Sequence, residues 1–434
     1  MAVSRVITII NVLLISCVGL IRYSGVVNDY LPTCRDKLMT IMSSQKAVII
    51  GAGPAGLGAA LALARMGVSV TVIEKEAEIG VNRRGETIRF HQGMEDRLYK
   101  GFFEEQTIHR INQRTYYSHT GKKKADRQIS TWNLIIEYPR FVQALASVAE
   151  KAGVQIVKSA PVDRYIKDGD RVSAVVANGK EFAADIFFAT AGHHDPSLDI
   201  CKRALSRIDI PIRKYLVKNY AGRDTHLEYF FHVDERYPAI AAIFPRGKGE
   251  AEVLYMFLTD SAAKKAASTN IPGTRGASGR EHDKLDFQYI ASIIDDFENI
   301  HPVFGEKLTG AKRYYETNTL IPMGDIGSDI LPAPNLVLAG DAVGQVEARG
   351  GSGIRSSFMM GQISAQAAVD TLLRENFSSQ AQSAFKKKVL DSEQMHELKD
   401  LNLKFGIPRR LFFSTVTSPS AMDTFWFALE FFMR

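Results

Sequence analysis

The chain has 434 residues, 45% of them hydrophobic and 24% charged, with a formal net charge of +6. This length suggests two or three domains, and the composition is ordinary for a globular protein with a sizeable core. The positive charge is too small and dispersed to indicate a nucleic-acid-binding protein. Cys17, Cys34 and Cys201 form no Cys-x-x-Cys pair and no cluster with histidine. The sequence therefore encodes no disulfide framework, zinc site or iron–sulfur site, and it favours a reducing cytosol.

Residues 1–41 differ in character from the rest of the chain. Val6 to Ile21 is a mostly apolar run of sixteen residues, short for a membrane-spanning helix of roughly 20 residues. Three interpretations compete: a signal-anchor, an uncleaved amphipathic anchor, or sequence upstream of the true start. We favour the last, because Met42 lies just before the first predicted strand. The protein is then expected in the cytoplasm, with peripheral or N-terminally anchored membrane association as the alternative.

Residues 46–76, KAVIIGAGPAGLGAALALARMGVSVTVIEKE, predict a dinucleotide-binding unit of strand, helix and second strand. Gly51, Gly53 and Gly56 form a G-x-G-x-x-G motif between the first strand and the helix. The first glycine permits a tight turn, the second lets the backbone approach a pyrophosphate, and the third lets helix and strand pack closely. The free amides of the first helical turn then face the phosphates.

Glu74 ends the second predicted strand, eighteen residues past Gly56. This is close to the roughly 20 residues expected for the acid that binds a ribose 2′-hydroxyl. A carboxylate at this position would also repel a 2′-phosphate. The motif therefore favours FAD or NAD over NADP.

The middle of the chain is predicted to be rich in strands. Thr120-Gly121 suggests a hairpin, and Lys122 to Lys124 in its turn form either a solvated loop or a membrane-facing patch. An amphipathic helix is predicted from Tyr138 to Ala152. Between residues 205 and 325, short alternating runs predict an antiparallel sheet that interrupts the nucleotide fold. This sheet is the natural substrate domain.

The nucleotide fold resumes near residue 329. Leu336 to Leu338 is a predicted strand, followed by Gly340-Asp341, a glycine-rich loop and a long helix from about Gly353. The tail after Phe377 is predicted to be helical and ends in an aromatic run, TFWFALEFFMR. Those aromatic residues either pack inside the protein or form an edge that touches a membrane.

Two nucleotide-fold segments separated by a sheet domain resemble a superfamily of FAD-dependent oxidoreductases that includes p-hydroxybenzoate hydroxylase, flavin-dependent halogenases and geranylgeranyl reductases. Its second motif, GDA-x-G followed by G-x-G-I, is matched here by GDAVG from Gly340 and GSGI from Gly351. The resemblance implies that Asp341 binds the ribityl chain of FAD. It also implies that the helix near Gly353 points its positive end at the N1/O2 edge of the flavin, where reduced flavin is negative.

The fold expected from this resemblance is α/β: a Rossmann-like FAD-binding domain of the p-hydroxybenzoate hydroxylase type, interrupted by an antiparallel-sheet substrate domain and followed by a helical tail. The expected FAD-binding domain covers residues 42–204 and 329–378, the substrate domain 205–328, and the C-terminal helical region 379–434. The predicted FAD contacts are Gly51, Ala52, Gly53, Pro54, Ala55, Gly56, Glu74, Lys75, Arg84, Gly85, Val162, Gly340, Asp341, Gly351, Gly353 and Ile354.

Within the superfamily, the geranylgeranyl reductases are the most similar branch, over nearly all of residues 46–380. RINQRTYYSHTGK resembles a strand pair of that branch, EYPRFVQALASVAEKAGVQIV its helix, and TLIPMG its I-P-x-G motif. AAIFP resembles the tail of the Y-x-W-x-F-P motif that shapes the prenyl pocket. Phe244 and Pro245 are therefore predicted substrate contacts, and an isoprenoid is the expected substrate.

Several positions depart from the geranylgeranyl reductase pattern. Arg84 stands where the family often has a cysteine before Gly-Glu, and Ala241-Ala242 occupies the region of the motif's tryptophan. Glu347-Ala348 replaces Asn-Pro, and Ala191 replaces the acid of the superfamily's A-D-G. The expected fold and cofactor do not depend on these positions, whereas the substrate and the role of that cysteine do.

For a prenyl reductase, reduced FAD would give hydride from N5 to one alkene carbon, and a proton would be added to the other. Glu86, His91 and Tyr237 are the predicted proton donors, because their segments would flank the flavin or the substrate pocket. Arg84 and Arg89 would bind an anionic head group or an FAD phosphate, or face solvent. The electrons would come from NAD(P)H that docks transiently or from a ferredoxin-like carrier.

Two other classes of protein share this fold. One is a monooxygenase that hydroxylates an aromatic or lipophilic small molecule through a C4a-hydroperoxide, and Ala191 in place of the acid disfavours it. The other is a degenerate FAD- or lipid-binding protein without turnover, which the intact glycine motif, Glu74 and Asp341 disfavour. A halogenase is excluded, because Trp132 and Trp426 do not form its W-x-W-x-I-P motif. No metal is predicted, and a membrane surface is a candidate partner.

Overall fold

The computed structural model describes most of the chain after residue 43. The described residues are 44–81, 83, 85–192, 207–233, 238–257, 295–299, 301–324, 330–347, 351–401 and 426. Some sequence predictions lie outside the described residues, namely those for residues 1–41, Arg84, Tyr237, Ala348 and the aromatic tail other than Trp426.

The strands and helices of the described residues have well-defined bounds. The strands are β1 (Lys46–Ile50), β2 (Ser69–Ile73), β3 (Thr87–Arg89), β4 (Thr107–Tyr117), β5 (Lys124–Ile136), β6 (Gln155–Val157), β7 (Val162–Asp168), β8 (Arg171–Ala177), β9 (Lys180–Ala183), β10 (Ile186–Ala189), β11 (Arg207–Lys218), β12 (His226–Val233), β13 (Pro238–Gly247), β14 (Glu250–Phe257), β15 (Lys312–Gly324) and β16 (Leu336–Leu338). The helices are α1 (Pro54–Arg65), α2 (Gln92–Glu95), α3 (Phe102–Gln106), α4 (Tyr138–Lys151), α5 (Pro302–Leu308), α6 (Ile354–Ala368), α7 (Ser379–Leu390) and α8 (Glu393–Leu401).

A five-stranded sheet has the order β16-β10-β1-β2-β6, and all of its strand pairs are parallel. Its central strands β1 and β10 are continuous apolar runs that are buried almost throughout. Such runs are typical of parallel strands that are covered on both faces. The predicted order of strand, helix and second strand over residues 46–76 is confirmed.

Helices α1 and α6 cross at very short range, and glycines make this approach possible. A Cβ atom built on Gly58 would lie 2.4 Å from the carbonyl oxygen of Phe358. One built on Gly361 would lie 2.1 Å from the carbonyl oxygen of Ala55. Any side chain at either position would force the helices apart. The two helices that carry the nucleotide motifs at their amino termini are therefore locked against each other.

An eight-stranded sheet has the order β15-β11-β14-β13-β12-β4-β5-β3. Its pairs are antiparallel except for β12 and β4, which run parallel. The antiparallel sheet predicted for residues 205–325 is confirmed, as is the hairpin of β4 and β5 around Thr120-Gly121. Strands β3, β4 and β5 join this sheet from earlier in the chain. The domain boundaries themselves stay a prediction.

The two faces of the eight-stranded sheet differ. One face carries an aromatic core, in which Phe230, Val253 and Tyr255 pack with Phe297 and with Phe304 of α5. The opposite face, called the inner face here, is defined by residues that lie side by side on neighbouring strands. These residues are Tyr116, Tyr229, Ala242, Leu254, Lys214 and Thr317.

A small antiparallel sheet, β7-β8-β9, packs beside the parallel sheet. Asn335 connects the two: its side chain accepts a hydrogen bond from the Val172 amide at 2.9 Å and donates to the Asp185 carbonyl at 3.0 Å. The mixed arrangement confirms the predicted α/β fold class, with helices following the last strand. Within the described ranges, no helix is both long and apolar enough to cross a membrane.

Candidate functional site

In the glycine-rich turn after β1, the positions of Gly51 and Gly56 have no room for a side chain. Gly51 has φ +98°, a conformation that side chains disfavour, and its amide donates to the Ile73 carbonyl at 2.8 Å. A Cβ atom built on Gly56 would lie 2.0 Å from the Gly51 carbonyl oxygen. Gly51 and Gly56 therefore hold β1 and α1 together, as the motif predicts.

Gly53 differs from its two partners, because space is open in front of it. It is the N-cap residue of α1, in an ordinary extended conformation, and no side chain caps the helix. A Cβ atom built on Gly53 meets no atom of the described residues within 4 Å. The first turn of α1 carries no acidic residue. Uncapped amides at the positive end of a helix, with open space before them, fit a pyrophosphate.

The Glu74 carboxylate lies at the mouth of this turn. Its Oε2 accepts a hydrogen bond from the Ala52 amide at 2.8 Å, and its Oε1 accepts one from the Glu76 amide at 3.0 Å. These two bonds fix the carboxylate beside the glycine motif, next to the place where a ribose attached to the pyrophosphate would lie. The neighbouring Lys75 is exposed, and its ammonium lies 3.7 Å from the Glu76 carboxylate.

The second nucleotide motif meets the first in space. Gly340 has φ +73°, and a Cβ atom built on it would lie 2.7 Å from the Cβ of Ala55. Asp341 lies near the turn at Gly192 and near the start of α6, where its Oδ1 is 3.3 Å from a Cβ built on Gly353. The structure thus brings Asp341, which is predicted to bind the ribityl chain, and both glycine motifs into one site.

The amino terminus of α6 is open in the same way as that of α1. Its N-cap residue, Gly353, offers no side-chain cap, and its first turn has no acidic residue. Gly351 packs against Ile321 of β15, whose Cδ1 would lie 2.6 Å from a Cβ atom built on the glycine. This contact joins the loop before α6, which contains Gly351 and Gly353 and is called the flavin-end loop here, to the eight-stranded sheet.

Two sets of residues at this site were missed by sequence reasoning. Gln345 accepts a hydrogen bond from the Gly340 amide at 2.7 Å and closes the turn around Asp341. The Arg355 guanidinium contacts both Glu347 and Glu397 at 2.6 Å. Burial lowers the pKa of Arg355, but these two carboxylates outweigh burial and raise it above its ordinary value. Arg355 could have been found from the sequence, because it is a charged residue in the first turn of an otherwise buried helix.

The site therefore fits an extended dinucleotide, with a phosphate-binding turn at one end and an anion-stabilising helix start at the other. Two family models, each described as FAD dependent oxidoreductase, match residues 47–191 and residues 127–367. The second match spans more than half of the chain. The chain belongs to the FAD dependent oxidoreductase family. Its cofactor is FAD, as predicted.

Curated relatives of this FAD dependent oxidoreductase include reductases of prenyl lipids. A digeranylgeranylglycerophospholipid reductase of Picrophilus torridus is 24% identical over 374 residues, which are 81% of this chain and 85% of the relative. The protein FixC of Salmonella typhi is 23% identical, over 81% of this chain and 83% of the relative. The similarity to geranylgeranyl reductases noted from the sequence motifs is confirmed.

Solved structures agree on the fold. A geranylgeranyl bacteriochlorophyll reductase-like protein from Thermoplasma acidophilum has a TM-score of 0.71 at 19% identity, covering 88% of this chain and 90% of the other. A flavin-dependent brominase has a TM-score of 0.64 at 16% identity, covering 88% of this chain and 92% of the other. At these identities the likeness concerns the fold alone.

Glu86, one of the predicted proton donors of this FAD dependent oxidoreductase, is fully buried in a network of charges. Its carboxylate contacts the Arg83 guanidinium at 2.8 Å and also pairs with Arg246. Its amide donates to Glu252, which pairs with Lys214 at 3.2 Å. Two guanidinium partners favour an ionised carboxylate, so the described contacts suit an anchor between loop and sheet better than an acid.

Replacing Glu86 by leucine is expected to lower the free energy of unfolding by about 4 kcal/mol, because Arg246 would be left buried without its partner. Chemical denaturation of the holoprotein measures this change. The double variant Glu86→Leu/Arg246→Met should recover much of the loss, since it removes both buried charges. A double variant no more stable than Glu86→Leu would contradict the pairing.

The other predicted site residues occupy different places. His91 begins α2, and burial, with a smaller effect of Arg355, lowers the pKa of its imidazole, so at neutral pH it carries no extra proton to donate. Gly85 lies in the loop before β3, and Val162 begins β7 in the small sheet. Phe244 lies on the inner face and Pro245 on the opposite face of β13. The roles predicted for these residues stay predictions.

Proposed function

We propose that this protein uses reduced FAD to saturate carbon–carbon double bonds of a prenyl lipid. The observation that carries the proposal is an aromatic wall on the inner face of the eight-stranded sheet, adjacent to the flavin-end loop. The named activities of the curated relatives support the same substrate class.

The aromatic wall consists of rings from three strands and the C-terminal region. Tyr116 and Tyr229 stack with centroids 5.1 Å apart, and Tyr229 meets Phe244 edge to face at 5.8 Å. Phe231 lies 6.4 Å from Tyr116 and 6.1 Å from Trp426. Large rings of this kind suit a branched hydrocarbon chain.

The inner face, which carries this wall, meets the FAD site at β15 and at β4. Ile321 of β15 packs on Gly351 in the loop before α6. Arg114 of β4 is attracted to Glu347, which follows the GDAVG motif directly. A hydrocarbon on the inner face would therefore lie close to the flavin end of the cofactor site.

The cofactor supplies hydride when it is bound and reduced. The chain supplies the rest: the glycine turn and Glu74 hold one end of the dinucleotide, Asp341 and the start of α6 hold the other, and the aromatic wall holds the alkene in a dry environment. Excluding water there strengthens electrostatic interactions and keeps the transferred hydride for the substrate.

Reoxidation of the anaerobically reduced protein tests this function. The purified yellow protein is reduced, freed of reductant and mixed with a geranylgeranyl lipid, with its saturated counterpart, or with air and phenols. We expect reoxidation by the unsaturated lipid but not by its saturated counterpart, with a product heavier by two hydrogen atoms per double bond. Reoxidation only by oxygen, with an oxygenated product, would instead establish a monooxygenase.

The proposal includes partners that no contact in the described residues identifies. The electrons come from NAD(P)H that docks transiently or from a ferredoxin-like carrier, because the chain shows one dinucleotide motif, which FAD fills. The lipid substrate is collected at a membrane surface by peripheral association. Measuring flavin reduction with each donor, and flotation with anionic vesicles, separates these alternatives.

Ala242 is expected to set how long a chain the inner face accepts. It lies directly across from Tyr229 and Leu254 on the neighbouring strands, in the region where related reductases carry tryptophan. Ala242→Trp should reduce the rate of flavin reoxidation by a C20 prenyl chain at least about tenfold more than that by a C10 chain. The reason is that the indole would shorten the apolar surface along which the chain lies. Stopped-flow flavin reoxidation with both lipids gives the ratio.

The neighbouring Ala241 provides the control for this prediction. Ala241 is buried in the core on the opposite face of β13, and Ala242 is itself buried against Leu227 and Phe244. Tryptophan at either position should overpack its surroundings and lower stability by about 3 kcal/mol, but only Ala242→Trp should change the chain-length preference. An unchanged C20-to-C10 ratio in Ala242→Trp would refute the role of the inner face in selecting chain length.

A further inference from the structure

The described residues leave open which group supplies the proton for alkene reduction. Glu86 is held between two guanidinium groups, and the pKa of His91 is lowered by burial. The contacts of Glu86 therefore suit an anchor between loop and sheet, and the lowered pKa of His91 disfavours its protonated form. The reaction nevertheless needs an acid on the inner face, since hydride addition alone would leave a carbanion.

Tyr116 has the required position. It lies on β4 directly opposite Tyr229 of β12, half-buried, with its ring between those of Tyr229 and Phe231. Its hydroxyl is therefore carried on the aromatic wall that would hold the hydrocarbon. A phenol is a weak acid that keeps its proton at neutral pH and releases it only when the resulting phenolate is stabilised.

Arg114 supplies that stabilisation. It lies two residues before Tyr116 on the same face of β4, which places its guanidinium within reach of the Tyr116 side chain. The guanidinium is also 3.4 Å from Asn133 Oδ1. Burial lowers the pKa of Arg114, but the two tyrosines and Glu347 outweigh burial and raise it, so the group stays charged.

We propose that Tyr116 is the proton donor of the reduction and that Arg114 is the residue that positions it and stabilises its phenolate; this rests on the proposed function. The Tyr116 O–H bond breaks and a C–H bond forms at one alkene carbon. Hydride from reduced FAD forms the second C–H bond, the π bond is lost, and the flavin is oxidised. Water then reprotonates the phenolate beside Arg114.

The wall around Tyr116 suits the charge that develops in this step. Proton transfer to a trisubstituted alkene builds positive charge on the more substituted carbon. The faces of Tyr229, Phe231 and Phe244 are electron-rich and stabilise a cation within about 6 Å. The same rings that bind the hydrocarbon therefore favour its protonated form.

The test compares Tyr116→Phe with Tyr99→Phe, which removes the same hydroxyl from an exposed tyrosine outside the aromatic wall. After anaerobic reduction, Tyr116→Phe should be reoxidised by geranylgeranyl lipid at least about 100-fold more slowly than the wild type. Tyr99→Phe should stay near the wild-type rate. FAD content, reoxidation by oxygen, and binding of the saturated lipid, followed by quenching of protein fluorescence, should be the same in all three proteins.

Arg114 is tested by rescue. Arg114→Met should slow the same reoxidation, and Arg114→Lys should recover part of the rate, because a cation beside the phenol is restored. A solvent deuterium isotope effect in the wild type should fall in Tyr116→Phe, since proton transfer would no longer pass through the phenol.

Three outcomes would overturn the assignment. A Tyr116→Phe protein reoxidised at the wild-type rate shows that another acid acts. A Tyr116→Phe protein that no longer binds the saturated lipid shows that Tyr116 is a binding residue only. A wild-type protein that the lipid does not reoxidise refutes the proposed function itself, and the assignment with it.

Discussion

Replacing Gly53 by valine is expected to abolish FAD retention while leaving the apoprotein folded. The reason is the open space in front of this residue: a Cβ atom meets nothing within 4 Å, and the backbone conformation is an ordinary extended one. In the predicted site, a side chain here would meet the pyrophosphate expected against the start of α1. The flavin-to-protein ratio after gel filtration and the melting temperature of the flavin-free protein measure both halves of the prediction.

Gly56, three residues away, is the matched control. Valine at this position would place a Cβ atom 2.0 Å from the Gly51 carbonyl oxygen, so β1 and α1 would have to separate. We expect a loss of stability of about 3 kcal/mol or more, visible in the apoprotein as well. Retention of FAD by Gly53→Val would show that the pyrophosphate lies elsewhere, and a normally stable Gly56→Val would show that the turn is looser than described.

Glu74→Arg is expected to weaken FAD binding at least about 100-fold, equivalent to about 3 kcal/mol. The carboxylate is fixed at the mouth of the glycine turn by the amides of Ala52 and Glu76, where it is placed to accept a ribose hydroxyl. An arginine there offers no acceptor and removes both backbone contacts. Equilibrium dialysis of the flavin-free protein against FAD gives the affinity.

Glu78→Arg changes the same charge on an exposed side chain four residues further on, so it controls for the overall electrostatic effect. Glu74→Gln keeps one acceptor oxygen and should fall between wild type and Glu74→Arg. If Glu74→Arg and Glu78→Arg retain equal amounts of flavin, the assignment of Glu74 to the ribose is wrong.

The nucleotide-binding unit could be predicted because its parts are local. The turn at Gly51, the start of α1 and the carboxylate of Glu74 lie within one continuous stretch, and each has a known physical requirement. The second motif could be found only through resemblance, since Gly340-Asp341 alone is too short to indicate a ligand. That the two motifs meet at Ala55 follows from the tertiary structure.

The inner face could not be predicted, because its neighbours are distant in sequence. Tyr116 and Tyr229 meet only through the parallel pairing of β4 with β12, and no local pattern specifies which strands pair. The charges buried with Glu86 did leave a signal. Lys214 shares one face of β11 with Ile212 and Leu216, and Glu252 shares one face of β14 with Leu254 and Met256. A charge among apolar neighbours needs a partner. The identity of that partner comes from the fold.

The close crossing at Gly58 and Gly361 has a consequence for the ligand that the protein accepts. A side chain at either glycine would push the helices apart, so the two glycines keep the amino termini of α1 and α6 close together. In the predicted site, one terminus would face the pyrophosphate and the other the flavin, so the separation of the termini would have to match the span of the ligand between them. With this assignment, a mononucleotide such as FMN would reach only one of the two ends.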